Sequence, residues 1–146
     1  MAVDVLTQID IARPRAEVAE YAAHPSNTAE WYVNIKSVEW HGAAELRVGA
    51  KIDFVAHFLG RRLSYTYEVT EHIPGESLTM RTSDGPFPMQ TEYLWTDLPD
   101  GGTRMTLRNT GEPAGFGRVA APVMGAAMRR ANQKDLGLLK QILEAR

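Results

Sequence analysis

Asn132 is the residue whose type and position most invite a chemical role. It lies between Met128 and Leu136 in a series spaced three or four apart, Ala121, Met124, Met128, Asn132, Leu136, Leu139 and Leu143, which predicts the buried stripe of a helix. A leucine would be the ordinary choice there. A buried amide left unpaired costs ~1–3 kcal/mol, so Asn132 either bonds an internal partner or buried water, or it meets a ligand's carbonyl or hydroxyl. Asn109, one step beyond Leu107 on the same strand face, poses the same alternative, and so do the hydroxyls of Tyr65, Tyr67 and Tyr93. With Phe54, Phe58 and Trp95, the three tyrosines place six aromatic side chains on the inner face of a sheet. That pattern makes either an aromatic core or the wall of a pocket. Trp31 and Tyr32 follow a short helix, Trp31 as its anchor or as a lid and Tyr32 at the entrance. The chemistry within reach is binding of an apolar molecule with one or two polar groups, or polarisation of a ketone carbonyl by Tyr or Asn.

Other chemistries lack their residues. The chain has no cysteine, which removes disulfides, thiolate metal sites and cysteine nucleophiles together. Its four histidines, His24, His41, His57 and His72, show neither HExxH nor His-x-His spacing, and alternation puts His41 and His57 on a polar outer face; no metal site is expected. By the same parity Glu68, Glu92, Arg81 and Arg108 point outward and Glu71 points inward only at the end of its strand, so no carboxylate or histidine is expected inside the pocket as an acid or base. The glycines at 42, 49, 111, 115 and 117 belong to turns and loops and form no phosphate-binding motif. No nucleophile elbow or Ser-His-Asp pattern is present, and Arg129, Arg130 and Lys134 read as a solvated helix face.

The elements that must position these residues are legible from periodicity. Val3, Val5, Thr7, Ile9 and Ile11 alternate with polar residues as a first strand. Pro14 then opens a short amphipathic helix over 14–23, and 26–30 adds another turn. Strands are predicted around 38–41, 51–58, 62–70, 78–81, 87–95 and 104–108, with turns at Gly42, Gly60-Arg61, Pro74-Gly75, Asp84-Gly85-Pro86 and Pro99 to Gly102. Gly111 to Gly117 is a loop, and roughly 118–145 is one long helix that Pro122 can kink. A lone terminal helix has only the sheet to bury its stripe against, so a curved antiparallel sheet must wrap it.

This order resembles the α+β helix-grip fold of the START-like (SRPBCC) superfamily, which includes polyketide cyclase/dehydrase-like and birch-pollen-allergen-like proteins. The segment IDIARPRAEVAEYAAHPSNTAEWY is similar to the family's N-terminal pattern of strand, Pro, Val and aromatic, then an acidic or His residue, Pro and Trp, with His24 here in place of the usual acid. VGAKIDF, LGRRLSYTYEVTEHIPGESLTMRTSDGPF, YLWTDLPDGGTRMTL and DLGLLKQILEAR are likewise similar to cyclase/dehydrase-like sequences. The resemblance spans essentially the whole chain and implies a seven-stranded curved sheet around the C-terminal helix, two short helices after the first strand, and a cavity between sheet and helix. Members bind or transport lipids, hormones and quinones or cyclise polyketides, and no catalytic motif arrives with the shared segments.

Composition bounds the rest. At 146 residues the chain suits one domain, residues 1–146. Sixteen basic against eighteen acidic residues give a net charge of -2, so no global field recruits nucleic acid. No segment reaches the ~20 apolar residues of a membrane span, and the N-terminus lacks a signal-peptide pattern, so a cytoplasmic protein without stable membrane insertion is expected. The expected partner is a small hydrophobic ligand, such as a lipid, polyketide or aromatic metabolite, with no cofactor; a homodimer is compatible with the sequence. Its contacts are expected from Trp31, Tyr32, Phe54, Phe58, Tyr65, Tyr67, Tyr93, Trp95, Asn109, Met128 and Asn132. A cyclase or dehydratase acting in the same cavity is the rival reading, and an interaction module with a vestigial cavity is a third.

Overall fold

A computed structural model of the chain describes residues 3–112 and 121–146. Strand β1 (Val3–Ile11) leads through Pro14 into helix α1 (Arg15–Ala23), a 3-10 turn (Pro25–Asn27) and helix α2 (Thr28–Trp31). Six strands follow: β2 (Ile35–Trp40), β3 (Lys51–Phe58), β4 (Arg61–Ile73), β5 (Ser77–Asp84), β6 (Met89–Asp97) and β7 (Thr103–Gly111). Helix α3 (Ala121–Glu144) closes the chain. The strands form one antiparallel sheet in the order β1-β7-β6-β5-β4-β3-β2, so the first strand returns to pair with the last. This is the expected helix-grip architecture, a curved seven-stranded half-barrel holding the C-terminal helix.

Alternation decides which side chains face the helix. Val3, Val5, Thr7 and Ile11 of β1 are buried while Asp4, Leu6, Gln8 and Asp10 are exposed. Leu63, Tyr67 and Val69 on β4, Thr91, Tyr93 and Trp95 on β6, and Met105 and Leu107 on β7 are buried on the same concave side. From α3, Met124, Asn132, Asp135, Leu136, Leu139 and Leu143 face inward. Five of these six are expected from the apolar stripe. Asp135 is not.

The convex face carries ion pairs in place of apolar packing. Arg108 donates from Nε and Nη2 to the two carboxylate oxygens of Asp4, and Arg104 grips Asp10 in the same two-pronged way. Both pairs lie close across the β1–β7 register. Such exposed cross-strand pairs are screened by water and salt and stabilise the sheet only weakly.

Several local expectations shift. The β3–β4 hairpin pairs Phe58 with Arg61, so its turn is Leu59-Gly60 and not Gly60-Arg61. Both turn residues have left-handed backbone, Leu59 at φ 49° and Gly60 at φ 75°, the combination whose twist suits a two-residue hairpin. The second strand begins at Ile35, three residues before its alternation becomes visible, because a register shift between Ile35 and Ser37 breaks the period. Pro122 sits at the second residue of described α3, and the expected helical start over 118–120 and most of the Gly111 to Gly117 loop fall outside the described residues. No helix is long and apolar enough to cross a membrane among the described residues.

Candidate functional site

Between the concave sheet and α3 lies a cavity of about 160 Å³. β3 and β4 supply Phe54, Phe58, Tyr65 and Tyr67, β6 supplies Thr91 and Tyr93, β7 supplies Asn109, and α3 supplies Met124, Met128, Asn132 and Asp135. Tyr32, just after α2, completes the wall. The aromatic rings contact one another: Phe54 and Tyr65 stack at 5.6 Å between centroids, and Tyr67 stands edge-on to Tyr65 at 5.1 Å. These separations lie in the range where aromatic pairs attract.

The polar groups in this wall form two short networks. Asn109 Oδ1 can only accept, so Thr91 spends its one hydroxyl proton there at 2.8 Å. Tyr67 must then be the donor in its 2.8 Å contact with Thr91 Oγ1. This relay uses the Asn109 carbonyl and leaves its NH2 group without a partner among the described residues. On the other side the hydroxyls of Tyr32 and Tyr93 meet at 2.8 Å. Burial pushes both phenols well above their usual pKa, with the charge of Asp135 adding to the rise in each. Burial raises Tyr67 to about 12. Every tyrosine in the wall is therefore neutral at physiological pH.

Asn132 and Asp135 are the exceptional pair. They sit three residues apart on α3, on one face, and are 6% and 2% exposed. Asn132 Nδ2 is buried with no hydrogen-bond partner among the described residues. Asp135 Oδ1 accepts the Val33 backbone N–H at 3.0 Å, and Oδ2 has no partner among the described residues. Burial lifts the Asp135 carboxyl to about 6, against a smaller lowering by the Val33 N–H.

Nine of the eleven residues expected at a ligand meet at this cavity: Tyr32, Phe54, Phe58, Tyr65, Tyr67, Tyr93, Asn109, Met128 and Asn132. Trp31 and Trp95 do not. Trp31 is fully buried behind Tyr32 and Tyr93, with ring centroids at 4.3 and 5.9 Å, and anchors α2. Trp95 shares the face of Tyr93 and stands edge-on to it at 5.8 Å between centroids, but it is 2% exposed and does not line this cavity. Parity fixes a face and says nothing of which end of the face is filled. His57, expected only on the outer face, is exposed yet contributes to the lining. His41 pairs with Asp53 at 2.7 Å on the surface. Asp135 was the residue overlooked, although its spacing from Asn132 and Met128 places it on their side of the helix. Among the described residues no cluster of three or more acidic or histidine side chains could hold a metal ion.

Comparison with known proteins agrees with this geometry. The family model described as polyketide cyclase / dehydrase and lipid transport matches residues 2–144. TTHA0849 from Thermus thermophilus superposes with a TM-score of 0.83 at 18% identity, covering 97% of each chain. The Zhui aromatase/cyclase from Streptomyces sp. R1128 superposes at 0.79 and 18% identity, covering 99% of this chain and 94% of its own. The major latex-like protein 151 of Panax ginseng gives 0.66 at 16% identity over 99% of this chain and 96% of its own. At such identities the likeness carries the fold alone. No curated protein matches the sequence.

Proposed function

The chain belongs to the polyketide cyclase / dehydrase and lipid transport family, and from that membership we propose that it binds a small hydrophobic molecule in the cavity between sheet and C-terminal helix. The ligand, a lipid, polyketide or aromatic metabolite, packs its body against Phe54, Tyr65 and Tyr67 and turns a carbonyl toward Asn132. The observation that carries this reading is the buried Asn132 Nδ2, which has no partner among the described residues. Leaving such a donor unpaired costs ~1–3 kcal/mol, and a ligand oxygen removes the cost. Native mass spectrometry of protein purified from its own host tests the reading. A single co-purified small molecule, depleted in Asn132→Leu, is the expected result. Ligand-free spectra from both proteins, together with no thermal stabilisation by carbonyl-bearing aromatic probes, would overturn it.

Asp135 favours a second reading, an enzyme of the cyclase or dehydratase type acting in the same cavity. A carboxyl with a pKa of about 6 can take a proton and return it near neutral pH. One helical turn away, the Asn132 amide would stabilise the enolate oxygen formed when Asp135 removes the proton beside a ketone. Deuterium uptake next to the carbonyl of a bound ketone in heavy water, lost in Asp135→Asn, is the expected signature. Equal uptake by the variant would remove Asp135 from the chemistry.

A further inference from the structure

The cavity has a charge character that its hydrophobic description leaves out. Its described lining residues include one acid, Asp135, one histidine, the exposed His57, and no lysine or arginine. The acid is 2% exposed, one oxygen is held by the Val33 N–H at 3.0 Å, and the other has no protein partner among the described residues. Around it stand aromatic rings, including Tyr32 and Tyr93, which feel its charge, and Tyr65, Tyr67 and Phe54 beyond them. Aromatic faces are electronegative and attract cations, most strongly where water is excluded. A buried carboxylate needs a paired cation or a proton to offset its desolvation, and here the described wall supplies no lysine or arginine. The exposed Lys134 beside it on α3 lowers its pKa by less than the Val33 N–H does, and burial outweighs both.

We infer that the cavity selects its ligand by charge, taking a protonated amine on a compact apolar body and holding the ammonium between the Asp135 carboxylate and the tyrosine rings. The inference rests on the cavity being a ligand site and adds the chemical class the site prefers. A neutral alcohol of the same shape leaves the carboxylate without a counter-ion. A carboxylate or phosphate brings a like charge against Asp135 and is disfavoured. The volume of about 160 Å³ suits a single ring with a short arm, since a dry cavity near 150 Å³ holds one benzene.

The test is calorimetric titration of the full chain with phenethylamine, phenethyl alcohol and phenylacetate at about pH 7.5, where Asp135 is ionised. A hydrogen bond to a charged partner in a desolvated aromatic site predicts that the amine binds about tenfold or more tighter than the alcohol, with phenylacetate weakest. In Asp135→Asn the ratio of amine to alcohol affinity should collapse to about one. An alcohol that binds as tightly as the amine, a phenylacetate that binds tightest, or an amine preference that survives in Asp135→Asn overturns the charge selectivity and leaves a ligand site standing. If none of the three probes binds, the ligand reading falls and the selectivity with it. The comparison on the wild-type chain decides the matter even if the variant does not fold.

Discussion

Asp135 Oδ1 accepts the backbone N–H of Val33 at 3.0 Å, fastening the connection between α2 and β2 to the middle of α3. The bond satisfies a backbone donor that no strand or helix uses, and it holds Tyr32, the preceding residue, against the cavity. It also holds a carboxylate where burial opposes its charge. The same side chain is thus useful as an acceptor and costly as an anion.

That conflict gives a pH dependence with a definite sign. The folded pKa of about 6 lies above the ordinary 3.8, so the native state binds more protons than the unfolded chain between those values. Stability therefore falls as pH rises from about 4 to about 6, and the deficit, about 2–3 kcal/mol, persists at neutral pH. Asp135→Asn keeps an oxygen for Val33 and removes the charge. Urea denaturation should show the variant more stable by about 1–3 kcal/mol at pH 7, with the slope between pH 4 and 6 gone. A variant of equal or lower stability would mean that the carboxylate is compensated. The exposed Asp4 and Asp10 and the half-buried Asp53 and Glu144 have lowered pKa values, chiefly through hydrogen bonds from Arg108, Arg104, Thr66 and Lys140 respectively, and their contributions are lost at more acidic pH.

The directed relay from Tyr67 through Thr91 to Asn109 predicts unequal costs for its members. Thr91→Val strands two partners at once, the Tyr67 hydroxyl and the Asn109 carbonyl, and should destabilise by about 2–3 kcal/mol. Tyr67→Phe leaves Thr91 still donating to Asn109 and should cost about 1 kcal/mol. Measured together in a double-mutant cycle, the two changes should be less than additive. Additive effects would break the relay into independent contacts.

The fold was legible because its signals are local. Leu63, Tyr65, Tyr67 and Val69 alternate cleanly against polar neighbours, and the α3 stripe from Met124 to Leu143 needs only a period of three or four to be seen. The aromatic wall followed from parity. What escaped the sequence depends on which neighbour arrives from far along the chain. Trp95 and Tyr93 are indistinguishable by parity, yet Tyr93 lines the cavity and Trp95 does not. Asp135 was overlooked because a charged residue beside a helical stripe is ordinarily solvated. Its burial depends on Val33, more than a hundred residues earlier, presenting an N–H to it.

The convex face bears on partners. Arg104 and Arg108 are held bidentately by Asp10 and Asp4, so these guanidiniums are already neutralised where a phosphate backbone could approach. With a net charge of -2, duplex DNA should show no binding at micromolar protein in ~150 mM salt by fluorescence anisotropy. Micromolar or tighter binding at that salt would show a basic surface that the charge balance conceals.

Asn132→Leu separates a polar anchor from a structural hydrogen bond. An internal partner, such as Asn109 or a tyrosine hydroxyl, would be stranded by the change, and stability would fall by ~1–3 kcal/mol. The geometry argues against that, since Asn132 Nδ2 has no partner among the described residues. Leucine restores an apolar stripe between Met128 and Leu136 and removes an unpaired donor. The apo variant should therefore melt at or slightly above the wild-type temperature, gaining up to ~1 kcal/mol, while its affinity for a carbonyl-bearing ligand drops by ~1–2 kcal/mol. Function is lost before stability, in contrast to the loss of stability expected from Thr91→Val. Thermal melts of both proteins with and without ligand read the two quantities separately, and a destabilised apo variant with an unchanged ligand-induced shift would sink the anchor.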